Sequence, residues 1–485
     1  MMKGIYAERN LTLLMDFYEM TMAGGYFEEG YTDKVGVFDM FFRTVPDGGG
    51  FAITAGLEQF CEVIDNLHFT EEDIEYLRGK GCFSERFLDY LRHFRFHCNV
   101  WAIPEGTPIF PNEPIVTVEG PAIEAQLIET VLLVTFNHQS LICTKTNRIV
   151  RAAAGRPVME FGSRRAQGYD GAVLGARAAY IGGVVGTACV LADRQYGVPA
   201  LGTMAHSWVQ MFPTEYEAFA AYARRYPDNC TLLVDTYNVL KSGVPNAIRV
   251  FDEVLKPLGR RPKGVRIDSG DIAYLSKKVR RMLDAAGYAD CGITASNSLD
   301  EYIVRDLLVQ GAQIDSFGIG ENLITSKSSP VFGGVYKLVA VRDGDTYTPK
   351  IKISETPEKV TIPHRKNLYR IYDRETGKAM ADYITLWDET VDAAGGLTLF
   401  DPAATWKKRT FTNIDIRRLN TPIYVEGRRV YQCPPLEQVK AYCAAQVDGL
   451  WDEVKRFENP HRYYVDLSQK LWDERQRLLT EYGQG

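Results

Sequence analysis

Seven short apolar runs decide the fold: PVMEFG (157–162), GGVVGT (182–187), PALGTMAH (199–206), TLLVDT (231–236), GVRID (264–268), GITAS (292–296) and DSFGIG (315–320). Their starts are spaced by 25, 17, 32, 33, 28 and 23 residues, and helical patterns fill the intervals. That rhythm is what repeated βα units with parallel strands produce. Seven in series favour a barrel over an open sheet, irregular at its short second interval.

Outward from this centre the rhythm stops. Toward the amino terminus, VGVFDMFFR (35–43) reads as a strand and Pro46 to Gly50 as its turn. Thr70 and Ser84 each open a short helix with an acidic first turn. Strand-like pieces at Cys98–Ile103 and Pro114–Val118 precede a long helical pattern from about Ile123 to Ala154, with Gly155 as its cap. Asn137-His138-Gln139 inside it reads as a packed polar patch. Past Val341, hairpin signals centre on Glu375–Lys378 and Glu426-Gly427, and helical patterns run over Leu436–Phe457 and Leu467–Leu479. The fold class is therefore α/β. An N-terminal α+β domain with a connecting helix (1–155) leads into an irregular βα barrel carrying the active site (156–341). A C-terminal α+β extension (342–485) of hairpins and helices packs on the other two.

Composition agrees with a folded, water-soluble protein. In 485 residues, 45% are hydrophobic and 24% charged, which sets aside disordered, collagenous and coiled-coil classes. A formal charge of -6 argues against a broad nucleic-acid-binding surface. The apolar stretch Tyr180–Ala192 is too short and too glycine-rich to span a membrane, and the first residues have no apolar core of a signal peptide. Nine cysteines lack a CxxC pair, so reduced thiols in a cytoplasm are the expectation. His93, His97 and Cys98 are the one sequence cluster with metal-ligand chemistry, and a helix end explains them equally well.

The carboxyl ends of the runs are unusually polar, and in a βα barrel that is where chemistry sits. They read Glu160–Arg165, Gly186-Thr187, His206-Ser207, Asp235-Thr236, Arg266–Asp271, Ser296-Asn297 and Gly318–Gly320. Gly318 and Gly320 can bring backbone N–H groups to a phosphate, or form a plain tight turn. Arg164 and Arg165 suit phosphate or carboxylate recognition, or serve as partners for Glu160. Asp268 can hold ribose hydroxyls or Mg²⁺, beside a helix N-cap made by Ser269 or Asp271. His206 with Asp235 on the next strand suits a base or nucleophile oriented by a carboxylate, the alternative being a satisfied core histidine. Lys327 and its serines form a polar loop that can touch phosphate or simply move.

EFGSRRAQG (160–168), GTMAH (202–206), RIDSGD (266–271) and FGIG (317–320), together with LTLLMDFYEMTM (11–22), resemble the nicotinate phosphoribosyltransferase family in the family's order. The resemblance implies an irregular barrel and a homodimer with shared active sites. The implied reaction joins nicotinate to phosphoribosyl pyrophosphate, giving nicotinate mononucleotide and pyrophosphate with coupled ATP hydrolysis and Mg²⁺, in NAD biosynthesis. It further implies that ATP phosphorylates His206 and that Asp235 orients it. Phe161 and the Tyr18 of a neighbouring subunit sandwich the pyridine ring, and Arg164 and Arg266 meet its carboxylate and the phosphates. Asp268 serves the ribose and Mg²⁺ region with Ser296 and Asn297 nearby, Thr187 lines the substrate site, and Gly318 and Gly320 cradle the 5′-phosphate. The metal ligands are left unassigned. Nicotinamide-using relatives carry an acid after the Gly-Thr of the second strand, where this chain has Ala188, so the acid substrate is favoured. The alternatives are a nicotinamide-using enzyme and a non-catalytic dimer that binds mononucleotides. The paired-cysteine zinc element of some members is missing, so Cys433 and Cys443 are not taken as ligands.

Overall fold

A computed structural model describes residues 4–356, 359–392 and 395–483. The chain forms two compact units, one made of the segments up to Thr144 and from Val331 onward, the other of Lys145–Pro330.

In the Lys145–Pro330 unit, six of the seven expected runs form strands: β1 Val158–Glu160, β2 Gly186–Thr187, β3 Thr231–Leu233, β4 Gly264–Ile267, β5 Gly292–Asn297 and β6 Ser316–Ile319. They make one sheet in the order β2-β1-β6-β5-β4-β3, parallel throughout. Parallel neighbours need crossovers, and helices supply them, including Tyr169–Gly182, Ile272–Ala285 and Glu301–Val309. The seventh run, PALGTMAH, makes a single parallel bridge from Ala200 to Thr187. Pro199 has no N–H to give a ladder, and the short interval before it leaves little chain to build one. Among the described residues nothing pairs this segment with β3, so the hydrogen-bonded ring stays open there.

The register aligns the strand ends. Glu160 stands opposite both Ile319 and Thr187, and Ser296 opposite Gly318. Beneath those ends Leu232, Val265, Ile293 and Phe317 are fully buried, as expected for strands covered on both faces. The capping question after β4 is settled by Asp271, whose carboxylate accepts the Tyr274 N–H at 2.9 Å. That leaves Asp268 free of capping duty.

The other unit is antiparallel in its main sheet, ordered Thr346–Pro349, Val335–Asp343, Val35–Phe41, Val116–Pro121, Asn99–Ala102, Thr421–Val425 and Arg428–Arg429. The VGVFDMF strand is central and almost wholly buried, and Phe38 stacks on Tyr336 at 5.0 Å. Thr70 and Ser84 cap their helices through Asp73 N–H and Phe87 N–H. Both expected hairpins form, as Lys366–Asp373 with Ala379–Leu386 and Thr421–Val425 with Arg428–Arg429.

Two expectations need correction, and one element was not expected. The long helix is two, Ala122–Gln126 and Glu129–Ala152, broken at the buried pair Leu127-Ile128. The pattern over Leu436–Phe457 is helical only through Asp448, where Gly449 follows. A hairpin of Leu397–Asp401 and Ala404–Phe411 escaped the sequence reading, because its second strand, ATWKKRTF, is exposed along most of its length and shows no apolar alternation. Among the described residues no helix is long and apolar enough to cross a membrane.

Candidate active site

The strand ends of the Lys145–Pro330 unit enclose a cavity of about 240 Å³ whose lining includes Phe161, Arg164, Ala188, His206, Arg266 and Asp268. Larger cavities of about 460 and 610 Å³ in the other unit contain none of these residues. Chemistry rather than volume singles out the smaller one.

Arg266, on β4, organises its floor. Its Nε donates to Ser296 Oγ at 2.7 Å, Nη1 to Thr203 Oγ1 at 3.1 Å and Nη2 to Asp268 Oδ1 at 2.8 Å. The same guanidinium lies 5.4 Å from the Phe161 ring centroid, close enough for a cation–π contact. Burial alone would raise the Asp268 pKa, but the hydroxyl of Ser296, at 2.5 Å, and the Arg266 charge outweigh it and hold the carboxyl below its usual value. Asp268 is thus an anion poised at the cavity edge.

His206 opens the short helix His206–Gln210 after the GTMAH run. Its Nδ1 lies 3.1 Å from Thr236 Oγ1, while Nε2 lies 4.0 Å from Asp235 Oδ1 and 3.9 Å from Asp268 Oδ2. The direct hydrogen-bond partner of the ring is therefore Thr236, and two carboxylates face its other nitrogen. The Asp235 side chain is buried, and its Oδ2 accepts the Asp268 N–H at 2.9 Å and the Ser269 hydroxyl at 2.6 Å. Its Oδ1 is buried without a hydrogen-bond partner.

Behind the cavity Thr187 is fully buried, and its hydroxyl donates to Glu160 at 2.5 Å. Its neighbour Ala188 is the lining residue. Gly318 is packed against the Phe161 ring, and a Cβ at Gly320 would come 3.0 Å from the Phe161 carbonyl oxygen. Asn297, at the end of β5, has φ 140° and is exposed, its Oδ1 accepting the Ser298 N–H. Arg164 is exposed on the turn Ser163–Arg165. Lys327 is paired with Glu321 at 2.7 Å. Thr203, Thr236 and Ser269 were missed as site residues, although each lies within or beside a polar strand end.

Along the chain, residues 13–137 match the nicotinate phosphoribosyltransferase (NAPRTase) N-terminal domain, 157–375 the NAPRTase family and 365–475 the nicotinate phosphoribosyltransferase C-terminal domain. The nicotinate phosphoribosyltransferase of Bacillus subtilis is 42% identical over 478 residues, covering 98% of this chain and 96% of that one. The chain belongs to the nicotinate phosphoribosyltransferase family. The human nicotinate phosphoribosyltransferase is 31% identical over 519 residues, with 95% of each chain covered. The crystal structure of human nicotinic acid phosphoribosyltransferase superposes with a TM-score of 0.85 at 29% identity, over 96% of this chain and 99% of that one. A nicotinate-nucleotide pyrophosphorylase from Pyrococcus furiosus shares the fold, with a TM-score of 0.69 at 22% identity over 90% and 94% of the two chains.

All four motifs behind the cavity fall inside the segment that matches the NAPRTase family. Tyr18 lies in the segment matching the N-terminal domain, on the helix Phe17–Glu28, and is 45% exposed. Burial and the nearby Glu129 push its phenol pKa upward, so its hydroxyl stays protonated. Among the described residues no three His, Cys, Asp or Glu side chains are grouped as a metal site would need; His97 contacts the Glu124 carboxylate at 3.0 Å, and the exposed His93 contacts the Asp89 carbonyl.

Proposed function

We propose that this chain is a nicotinate phosphoribosyltransferase that joins nicotinate to phosphoribosyl pyrophosphate, releasing pyrophosphate, with ATP hydrolysis coupled through phosphorylation of His206. The observation that carries this reading is the convergence of Phe161, Arg266, Asp268 and His206 on one cavity in a chain of this family. The Phe161 face is a stacking surface for a pyridine ring, completed by the exposed Tyr18 of a second copy in a homodimer. Arg164 and Arg266 supply guanidinium forks for the ring carboxylate and phosphates. Ala188 puts no acid at its own position in the wall, which suits an anionic base over an amide.

Displacing pyrophosphate from C1 of the ribose builds positive charge on the sugar and sends negative charge to the leaving group. Asp268, held ionised, is placed to meet the ribose side, with Ser296 and Asn297 beside it, while arginines and the backbone around Gly318 and Gly320 meet phosphate. Thr187 acts from behind the wall. Asp235 and Asp268 fit Mg²⁺, since one buried oxygen of Asp235 lacks a partner and Mg²⁺ takes one or two carboxylates plus substrate phosphates. Bound there, the ion would neutralise charge on the departing pyrophosphate. Asp235 and Asp268 both face Nε2 of His206, at 4.0 and 3.9 Å. The parallel sheet supports an irregular barrel with one open seam, and a cytoplasmic location fits the reduced-thiol composition.

The deciding experiment measures mononucleotide formation from nicotinate and from nicotinamide with phosphoribosyl pyrophosphate, each with and without ATP. Nicotinate turnover stimulated by ATP is expected. Equal or better use of nicotinamide would overturn the choice of base, and tight product binding without turnover would identify a non-catalytic binder.

A further inference from the structure

One carboxylate holds two lining residues of the cavity. Glu160 ends β1 and stands in register with Thr187 at the end of β2; both are fully buried. One Glu160 oxygen accepts the Gly162 N–H, closing a loop around Phe161. The other accepts the Thr187 hydroxyl at 2.5 Å, and Thr187 Oγ1 in turn accepts the Cys189 N–H at 3.0 Å, closing a second loop around Ala188. The remaining N–H groups are also fixed, Phe161 to the Ile319 carbonyl and Ala188 to the Glu160 carbonyl, each at 2.8 Å. Phe161 and Ala188 both line the cavity, and they lie between the two halves of this relay.

A purely structural account fits poorly. Among the described residues no cation pairs with Glu160; burial pushes its pKa up, and only the hydroxyl and the N–H it accepts oppose that. Burying a carboxylate that way is costly, and an apolar residue would pack a strand end more cheaply. What the carboxylate adds is geometry, because it reaches both strand ends at once.

We propose that Glu160 is a positioning residue for the base: through Gly162 and Thr187 it sets the spacing of Phe161 and Ala188, and with it the preference for nicotinate over nicotinamide. This rests on the reading of the cavity as a nicotinate site. Sub-ångström displacement of a binding wall is enough to cost about tenfold or more in turnover efficiency.

The test compares Thr187→Val, which keeps the shape and removes the hydroxyl, with Thr187→Ser, which restores it, and with Glu160→Gln, which keeps the length and leaves one acceptor oxygen. Thr187→Val and Glu160→Gln should each raise the KM for nicotinate about tenfold and lower the nicotinate-to-nicotinamide ratio of kcat/KM by a similar factor. The KM for phosphoribosyl pyrophosphate should stay within about twofold, and Thr187→Ser should return every value to within about twofold of wild type. An unmoved nicotinate KM in both variants overturns the proposal. So does a parallel loss for both substrates that Thr187→Ser does not rescue, since that pattern marks a structural role alone. Should Thr187→Val not fold, Glu160→Gln decides. A wild-type chain that makes no nicotinate mononucleotide defeats the underlying reading, whereas an active wild type with unaffected variants defeats only the role of Glu160.

Discussion

A Cβ atom placed on Gly318 would lie 2.4 Å from Cδ2 of Phe161, so the ring rests directly against the backbone of β6. The glycine thus makes room for an aromatic face, a duty that precedes any contact with phosphate. The backbone at Gly318 is extended, so the requirement is space rather than a special φ.

Gly318→Ala should therefore push the Phe161 ring toward Arg266 and out of its stacking position. The expected result is a rise of about tenfold or more in the KM for nicotinate with a smaller change in the KM for phosphoribosyl pyrophosphate. Steady-state kinetics varying each substrate would show it. A nicotinate KM within about twofold of wild type would mean that the ring shifts without consequence.

His206 offers a second test because its two nitrogens face different partners, Thr236 at Nδ1 and the carboxylates of Asp235 and Asp268 at Nε2. Incubation with γ-labelled ATP should label the wild-type protein, and His206→Ala should take up no label while keeping a weak ATP-independent synthesis. Thr236→Val should reduce labelling by about tenfold, because the ring loses the contact that fixes its orientation. Persistent labelling of His206→Ala would place the phosphate elsewhere.

Much of this was legible in the residues, and the limits have physical causes. Strand ends rich in hydroxyls, acids and glycine pointed to the candidate site, as at Asp235, Arg266 and Ser296. Two things were hidden. The pairing of Val335–Asp343 with Val35–Phe41 joins residues some three hundred positions apart, which no local pattern encodes. The role of Thr236 was masked by its neighbour: a carboxylate next to a histidine invites the orienting role, yet the shorter hydroxyl is the group within hydrogen-bond reach.

Stability should depend on a buried pair in the other unit. In the hairpin of Lys366–Asp373 and Ala379–Leu386, Arg370 donates through Nε and Nη2 to Asp382 at 2.8 and 2.6 Å, and Nη2 also reaches the Pro108 carbonyl at 2.8 Å. Tyr463 donates to the same carboxylate at 3.1 Å while stacking on Phe110. Arg370→Met leaves Asp382 buried and unpaired, at a cost of about 3–5 kcal/mol. Adding Asp382→Asn should recover part of that loss, because the stranded charge disappears. Chemical denaturation of the single and double variants would measure both. Equal destabilisation in the two would mean that lost packing, rather than the uncompensated charge, sets the cost.

The pH dependence of stability should carry a signature from Asp466, on the strand Val465–Leu467. Burial, and then the neighbouring Asp401, raise its pKa to about 7, with Arg462 and Arg409 opposing. The native state therefore holds a proton that the unfolded chain, titrating near 4, has already released. With more protons bound in the native than in the unfolded state, stability falls as pH rises from about 4 through 7 and levels off above. A shift of this size corresponds to about 4 kcal/mol at most, and partial solvent screening of the carboxyl reduces the expected penalty to about 2 kcal/mol. Asp466→Asn removes the titration, so the variant should gain about 2 kcal/mol over wild type at pH 8 and little at pH 4.5. Denaturation midpoints at the two pH values would report the difference directly. An equal effect at both would show that the asparagine acts through packing and that Asp466 is ionised throughout.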